Sequence, residues 1–387
     1  MVDADGRRFA VEINASHEAR GVDSDCEYCN AGMHTHCPER LVLGIHDLPG
    51  GFGPWLLAPR EALIPIPDTI SDKTALLLEP FAAAFHIEDI CPLGNGIRIA
   101  VLGPRRLGQL TIAALSVLRR QAEIDCEVTA LTRHAHLADL ARRLGADHAV
   151  VFEGSGDELP SASWDLVIDT TGSPSGLELA LRLAADHVHV KSTHGRPAAG
   201  LQHLTEMVVD EICMARLPSH RREWRDFVWR EDFGPMKQLL WAARREVPKG
   251  LGKQARIVHA RPSDLTPSSL RTFDHAIADS LAAADAILRP HAGEQASYLR
   301  PRGALLLDLE ESEEGPLADA IRDQGLCLST SRCGDMRKAL HSLESDPLGS
   351  SLGDLLMSDL LPAAELARAF ELASDPGVIK VGITAAR

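Results

Sequence analysis

The sequence predicts an α/β fold built on a doubly wound parallel sheet. Three observations carry this reading. Short buried-type apolar runs alternate with segments of helical periodicity from residue 97 onward. The segments between the runs are helix-sized, the length a crossover needs to return to the same sheet in the same direction. The first run ends at Gly103, in a turn that opens directly into a helix.

The elements follow in order. Residues 1–70 are rich in Gly and Pro, with brief β-like runs such as "RFAVEI" and "WLLAP", and read as irregular β structure around a cysteine cluster. "SDKTALLLEPFAAAFHIEDI" turns to helical spacing. "GIRIAVLG" is a strand and "RLGQLTIAALSVLRRQ" a helix. "CEVTALT" and "AHLADLARRLGA" repeat the pair, with Gly145 as the stop of the second helix. "HAVVF", "WDLVIDTTG", the helix "SGLELALRLA" and the strand "HVHVKST" complete the series. The stretch 213–275 is less regular and reads as helix and loop, rich in Trp and charge, ahead of a further α/β unit. "SWDLVID" and "TFDHAIAD" resemble each other, as do the residues after them. One weak similarity does not establish an internal duplication. The tail "LPAAELARAFELASDPGVIKVGI" is a helix, a Pro-Gly turn and a closing strand.

Bulk composition narrows the function. The chain of 387 residues has a formal net charge of −15 and no long basic run, which argues against a nucleic-acid partner. No apolar stretch is long enough to span a membrane, and the first residues lack the apolar core of a signal peptide. Eight cysteines are too few for a disulfide scaffold in a chain this long, so reduced thiols and a cytoplasmic location are expected.

Two motifs carry chemistry. In "IAVLGPRRLGQL", Gly103 and Gly108 occupy the first and third glycines of G-x-G-x-x-G, with Arg105 in the middle position. Such a turn sets a helix N-terminus against a pyrophosphate. A side chain at the middle position holds backbone and phosphate apart, and Arg105 or Arg106 offers a charged fork instead. An NAD site places an acid at the end of the second strand; this chain has Thr132 and Arg133, a hydroxyl and a cation that suit a 2′-phosphate. NADP is therefore expected over NAD. The bland alternative is a degenerate turn beside a solvated Arg.

The second motif is "DCEYCNAGMHTHC". Cys26, Cys29 and Cys37 have the spacing of zinc thiolates, and a fourth ligand is needed. Asp23 continues the three-residue step, with His34 and His36 as rivals. The alternative is three reduced thiols in a metal-free loop. Elsewhere, Glu79 in "LLLEPF" is a carboxylate candidate for a catalytic metal, with His86 at i+7. It reads equally well as an acid at a helix N-terminus before Pro80.

Together these residues resemble the medium-chain dehydrogenase/reductase superfamily, the zinc alcohol dehydrogenase-like enzymes. The family lobe C-x2-C-x2-C-x7-C appears as D-x2-C-x2-C-x7-C from Asp23 to Cys37. "LGIHDLPGGFGPWLLAP", "IPIPDTISDKTALLLEPFAAAFH", "VLGPRRLG", "LARRLGAD", "DLVIDTTGS", "SRCGDMRKAL" and "AFELASDPGVIKVGI" follow in family order. The resemblance covers roughly residues 8–212 and 326–385. It implies a Rossmann-like domain at 76–344 with an insertion at about 213–325, and a partial GroES-like domain at 1–75 completed by 345–387. It implies a structural zinc on Asp23, Cys26, Cys29 and Cys37, and Glu79 as acidic ligand of a catalytic zinc. The dinucleotide would meet Gly103, Arg105, Arg106, Leu107, Gly108, Thr132, Arg133 and Thr171. The family's catalytic Cys and G-H-E segment have no counterpart here. The expected function is hydride transfer between NADP(H) and a small alcohol or carbonyl substrate, in a homo-oligomer. The alternative is a catalytically inactive nucleotide-binding or scaffold protein of the same descent.

Overall fold

A computed structural model describes residues 1–192, 195–217, 238–247, 255–289, 296–375 and 377–384. The strand–helix alternation read from the sequence is present. Arg98–Leu102 forms β1, and Ile99, Ala100 and Val101 are fully buried. Helix α1 (Leu78–Phe85) precedes it, and the turn after β1 opens into α2 (Arg106–Gln121). Then come β2 (Glu127–Thr132), α3 (Ala135–Arg143), β3 (His148–Val151), β4 (Trp164–Asp169), α4 (Pro174–Leu183) and β5 (Ala184–Val190). Ser173 caps α4, its hydroxyl accepting from the Gly176 amide at 3.1 Å, with Pro174 at the first helical position.

The chain continues through α5 (Leu204–Val209), β6 (Cys213–Arg216), β7 (Gln238–Trp241), β8 (Arg256–His259), β9 (Phe273–Ala278), α6 (Leu281–Leu288) and β10 (Leu299–Leu307). It closes with α7 (Pro316–Arg322), β11 (Cys327–Thr330), α8 (Met336–Glu344) and α9 (Leu366–Ser374). These eleven strands join in one sheet, in the order β8-β7-β9-β10-β6-β11-β5-β4-β1-β2-β3. Every neighbouring pair is parallel except β6·β11, which is antiparallel. Strands β3-β2-β1-β4-β5-β11 thus have the 3-2-1-4-5-6 order of a dinucleotide-binding sheet. Residues 213–325, which match nothing in the family pattern, supply five further strands to the same sheet.

Side chains alternate between two cores, as the strand period of two requires. Ile99, Val101, Val128 and Ile168 pack with α1, α2 and α8 on one face. Ala100, Leu102, Leu131, Val167 and Val190 pack with α4 to α7 on the other. The N-terminal part is short-stranded β structure. Phe9–Val11 pairs antiparallel with Leu63–Pro65, and Asn14–Ala15, Leu41–Leu43 and Asp47–Leu48 form a three-stranded sheet. Near the C-terminus Met357–Pro362 pairs in parallel with Lys380–Thr384. Among the described residues no helix is long and apolar enough to cross a membrane.

Candidate functional site

A cleft of about 740 Å³ opens at the carboxyl ends of β1, β2 and β4, where open α/β sheets bind ligands. Gly103, Arg105, Arg106, Leu107, Thr132, Arg133 and Thr171, all singled out from sequence, line it. Gly108 does not line it but shapes it from below: a Cβ there would fall 2.5 Å from Thr170 Oγ1 and 3.1 Å from Pro104 Cβ. Gly103 has a φ of +72°, and a Cβ would fall 2.6 Å from Thr171 Cγ2. Both glycines are therefore required by close approach of β1, β4 and α2. Thr170 locks that approach, its hydroxyl donating to the Leu102 carbonyl at 2.9 Å.

Arg105 occupies the middle-glycine position, immediately before α2. Its guanidinium donates to the Asp375 carbonyl at 3.1 Å, and Arg106 donates to the Ala373 carbonyl. Both side chains thus grip the C-terminal end of α9, where a helix presents unpaired carbonyls. Arg133 is exposed at the mouth. Arg182 on the rim and Asp169 beside it were not singled out by the sequence. Arg182 sits on the rim, held by the Leu159 and Gly156 carbonyls at 2.7 and 2.6 Å. Asp169 ends β4 next to the lining residues Thr170 and Thr171; its Oδ1 accepts from the Thr171 amide and hydroxyl at 2.8 and 2.7 Å. Burial pushes Asp169 up to about 6, against those two hydrogen bonds. A carboxylate ending a buried strand was its only sequence signal.

Glu79 lies in the first turn of α1, half-buried. Burial raises its pKa, with Lys380 and Arg332 pulling the other way. A small apolar cavity of about 200 Å³ lies alongside, lined by Leu77, Pro80, Arg106, Leu107 and Lys380 among others. His86 is engaged elsewhere: Nδ1 meets Asp89 at 3.0 Å and Nε2 meets the fully buried Glu211 at 3.1 Å. Glu211 also accepts from Arg302 Nε at 2.9 Å and from the Arg332 amide at 3.0 Å. Lys191, at the end of β5, is buried and donates to Ser331. Burial lowers it to about 8, with Glu211 opposing.

The cysteine cluster has a different fourth member from the one read in the sequence. The ligand atoms of His17, Cys26, Cys29 and Cys37 all lie within 4.8 Å of one another, the one such group among the described residues. His17 Nδ1 is 3.5 Å from Cys29 Sγ and 3.3 Å from Cys37 Sγ. Its Nε2 faces Glu39 Oε2 at 3.2 Å, the carboxylate–histidine arrangement that orients metal-bound imidazoles. Asp23 is exposed and outside this group. His34 pairs with Glu18 at 2.9 Å, and His36 Nδ1 meets Thr35 Oγ1 at 3.2 Å. The 3₁₀ turn Glu18–Arg20 carries His17 to the lobe, and the pair His17-Glu18 is split, with the two side chains facing different partners. Three sulfurs and one imidazole nitrogen suit a tetrahedral zinc.

No family model matches the chain. An L-threonine 3-dehydrogenase of Rhizobium etli is 30% identical over 178 residues, 46% of this chain and 47% of that enzyme. A sorbitol dehydrogenase of Bacillus subtilis is 26% identical over 162 residues, 40% of this chain and 44% of that enzyme. The chain therefore spans about half the length of the curated relatives it matches. A zinc-binding dehydrogenase from Sinorhizobium meliloti 1021, solved bound to NADP, superposes with a TM-score of 0.52 over 98% of this chain and 76% of that chain, at 18% identity. The fold is shared with that zinc-binding dehydrogenase and with an alcohol dehydrogenase from Thermotoga maritima, which superposes with a TM-score of 0.53 at 13% identity. Within that fold, the six strands in 3-2-1-4-5-6 order are β3-β2-β1-β4-β5-β11, and the cysteine lobe precedes them in the chain.

Proposed function

We propose that the chain is an NADP(H)-preferring oxidoreductase that exchanges a hydride with a small alcohol or carbonyl compound. The cleft over the Gly103 turn carries this reading: two glycines allow close approach, and arginines rim it in a chain of net charge −15. NADP, when bound, supplies or accepts the hydride. The amides that open α2, with Arg105 and Arg106, would face its pyrophosphate. Arg133 stands where an acid would select NAD, and favours a 2′-phosphate.

Glu79 is the proposed proton donor and acceptor. Burial raises its pKa, with Lys380 and Arg332 opposing, the direction that favours a proton-carrying role. The surroundings of Glu79 do not supply a zinc set: its nearest charged neighbours include Lys380 and Arg332, and the one three-or-more-ligand cluster among the described residues is the cysteine lobe. His17, Cys26, Cys29 and Cys37 would hold one zinc with four protein ligands, a closed site that stabilises the lobe. Residues 1–75 with 345–387 would form the lobe that carries the metal, beside the nucleotide unit. Eight cysteines in a chain of this length suit reduced thiols in a cytoplasm.

Calorimetric titration of the full chain tests the reading. NADPH should bind at micromolar concentration and at least about tenfold tighter than NADH, the discrimination expected of one charged contact. Absence of binding by both would refute it.

A further inference from the structure

The eleven-stranded sheet repeats itself. From the antiparallel join outward, one side reads β11-β5-β4-β1-β2 and the other β6-β10-β9-β7-β8. Hydrogen bonds repeat with the strands. Asp165 of β4 accepts from the Arg98 amide at the start of β1 at 2.7 Å; Asp274 of β9 accepts from the Gln238 amide at the start of β7 at 2.8 Å. Lys191 N donates to Asp169 O at 2.9 Å, and Asp308 N donates to Ala278 O at 2.9 Å. Ser331 N reaches Val190 O on one side, and Leu217 N reaches Leu307 O on the other. Ser173 caps α4 as Ser280 caps α6. The pairings β4·β5 and β9·β10 both shift register after their first pair, at Ala184/His187 and at Leu299/Ala304 respectively.

The join obeys the same symmetry. Leu328 pairs with Val188 inside one half, and Met214 with Leu305 inside the other, so Leu328 and Met214 are counterparts. They also face each other across the join. A residue that meets its own counterpart marks a two-fold axis, the isologous contact of a symmetric dimer. Cys213 and Cys327, each one position earlier, are likewise counterparts, and their sulfurs lie 3.4 Å apart.

We infer that strands β6 to β10 are a second structural copy of the nucleotide half-sheet that serves as a built-in partner, docked edge to edge on the first within one chain. The closing strands are exchanged: β6 follows β5 in the chain but pairs with β10, while β11 follows β10 but pairs with β5. That is the exchange of a domain-swapped dimer, made inside one polypeptide. The second copy has shed the site chemistry. Ala243 stands where the first copy has Gly103, and Ala278 where it has Asp169. Its role is to cover the edge of β11, which otherwise exposes unpaired backbone groups.

The thiols at the axis give the test. The full chain at low micromolar concentration is oxidised with an azodicarboxamide. Two thiols lose two protons and two electrons to its N=N bond, and one disulfide forms. Peptide mapping should find Cys213 joined to Cys327 in a species that runs, unreduced and denatured, at the 41.8 kDa of one chain. Cys327→Ser should abolish that linked peptide. A Cys213–Cys327 link found only in a two-chain species would overturn the inference, because the join would then lie between molecules. Free alkylation of both thiols, with no link formed, would overturn it equally. Cofactor binding does not enter either readout.

Discussion

Glu211→Ala should be among the most damaging single changes outside the cleft. Glu211 is fully buried and bonds to His86 of α1's C-terminal end, to Arg302 in β10 and to the amide of Arg332 beyond β11. Burial alone would raise its pKa; His86 and Arg302 outweigh that and hold it well below the usual carboxylate range. Removing one partner of such a buried set costs about 3–5 kcal/mol, because Arg302, itself only 14% exposed, loses its counter-charge. Unfolding entropy of about 2.1 cal/mol/K per residue over 387 residues gives roughly 0.8 kcal/mol/K, so Tm should fall by about 4–6 °C. The sign with pH follows from the depressed pKa: this stabilisation is present above the unfolded value of a glutamate and is lost as pH falls through the folded value. The wild-type advantage over Glu211→Ala should therefore shrink on acidification from pH 7 toward pH 3. Glu211 also has a φ of +53°, so Glu211→Gly should recover about 1 kcal/mol relative to Ala. Thermal unfolding followed by circular dichroism at several pH values is the assay. A Tm change under about 1 °C at pH 7 would refute the reasoning.

Other outcomes follow from the site geometry. His17→Asn should cut zinc affinity by at least about 100-fold, while Asp23→Asn leaves metal content at one per chain; the reverse pattern, read by atomic emission, would return Asp23 to the ligand set. Arg133→Ala should weaken NADPH binding by about 10–100-fold and leave NADH unchanged; equal losses for both would remove the 2′-phosphate assignment. Asp169, raised to about 6, favours folding most below pH 4, and that contribution is lost as pH rises through 6, a swing of about 3 kcal/mol. Asp169→Asn should flatten this part of the stability profile in denaturant titrations at pH 4 and pH 7, and an unaltered profile would count against it.

The nucleotide half was legible because its information is local. Ile99 to Leu102 announce a buried strand, Gly103 and Gly108 mark close approach, and Arg133 follows directly from a strand end. The cysteine spacing likewise announced a metal lobe, since all three thiols lie in one short loop. His17 was not legible as the fourth ligand. It reaches Cys29 and Cys37 through the path of the chain around the lobe, and no spacing rule records that path. The same holds for Glu211, whose partners His86 and Arg302 are remote in sequence. "TFDHAIAD" hinted at repetition, but the exchange of β6 and β11 between halves rests on long-range pairing that periodicity does not encode.

The grip of Arg105 and Arg106 on the last carbonyls of α9 sets up a competition. A pyrophosphate at the Gly103 turn and the end of α9 would draw on the same two cations. Whatever factor the docked helix costs in cofactor affinity, bound cofactor must impose on helix docking, because linkage between two binding equilibria is reciprocal. Amide hydrogen exchange across Leu366–Ser374 should then quicken when NADPH is added, and exchange that slows or stays constant would show that the arginines serve both at once. The segment from α9 onward would act as a ligand carried by the chain itself, with an effective concentration set by the connection that leads to it.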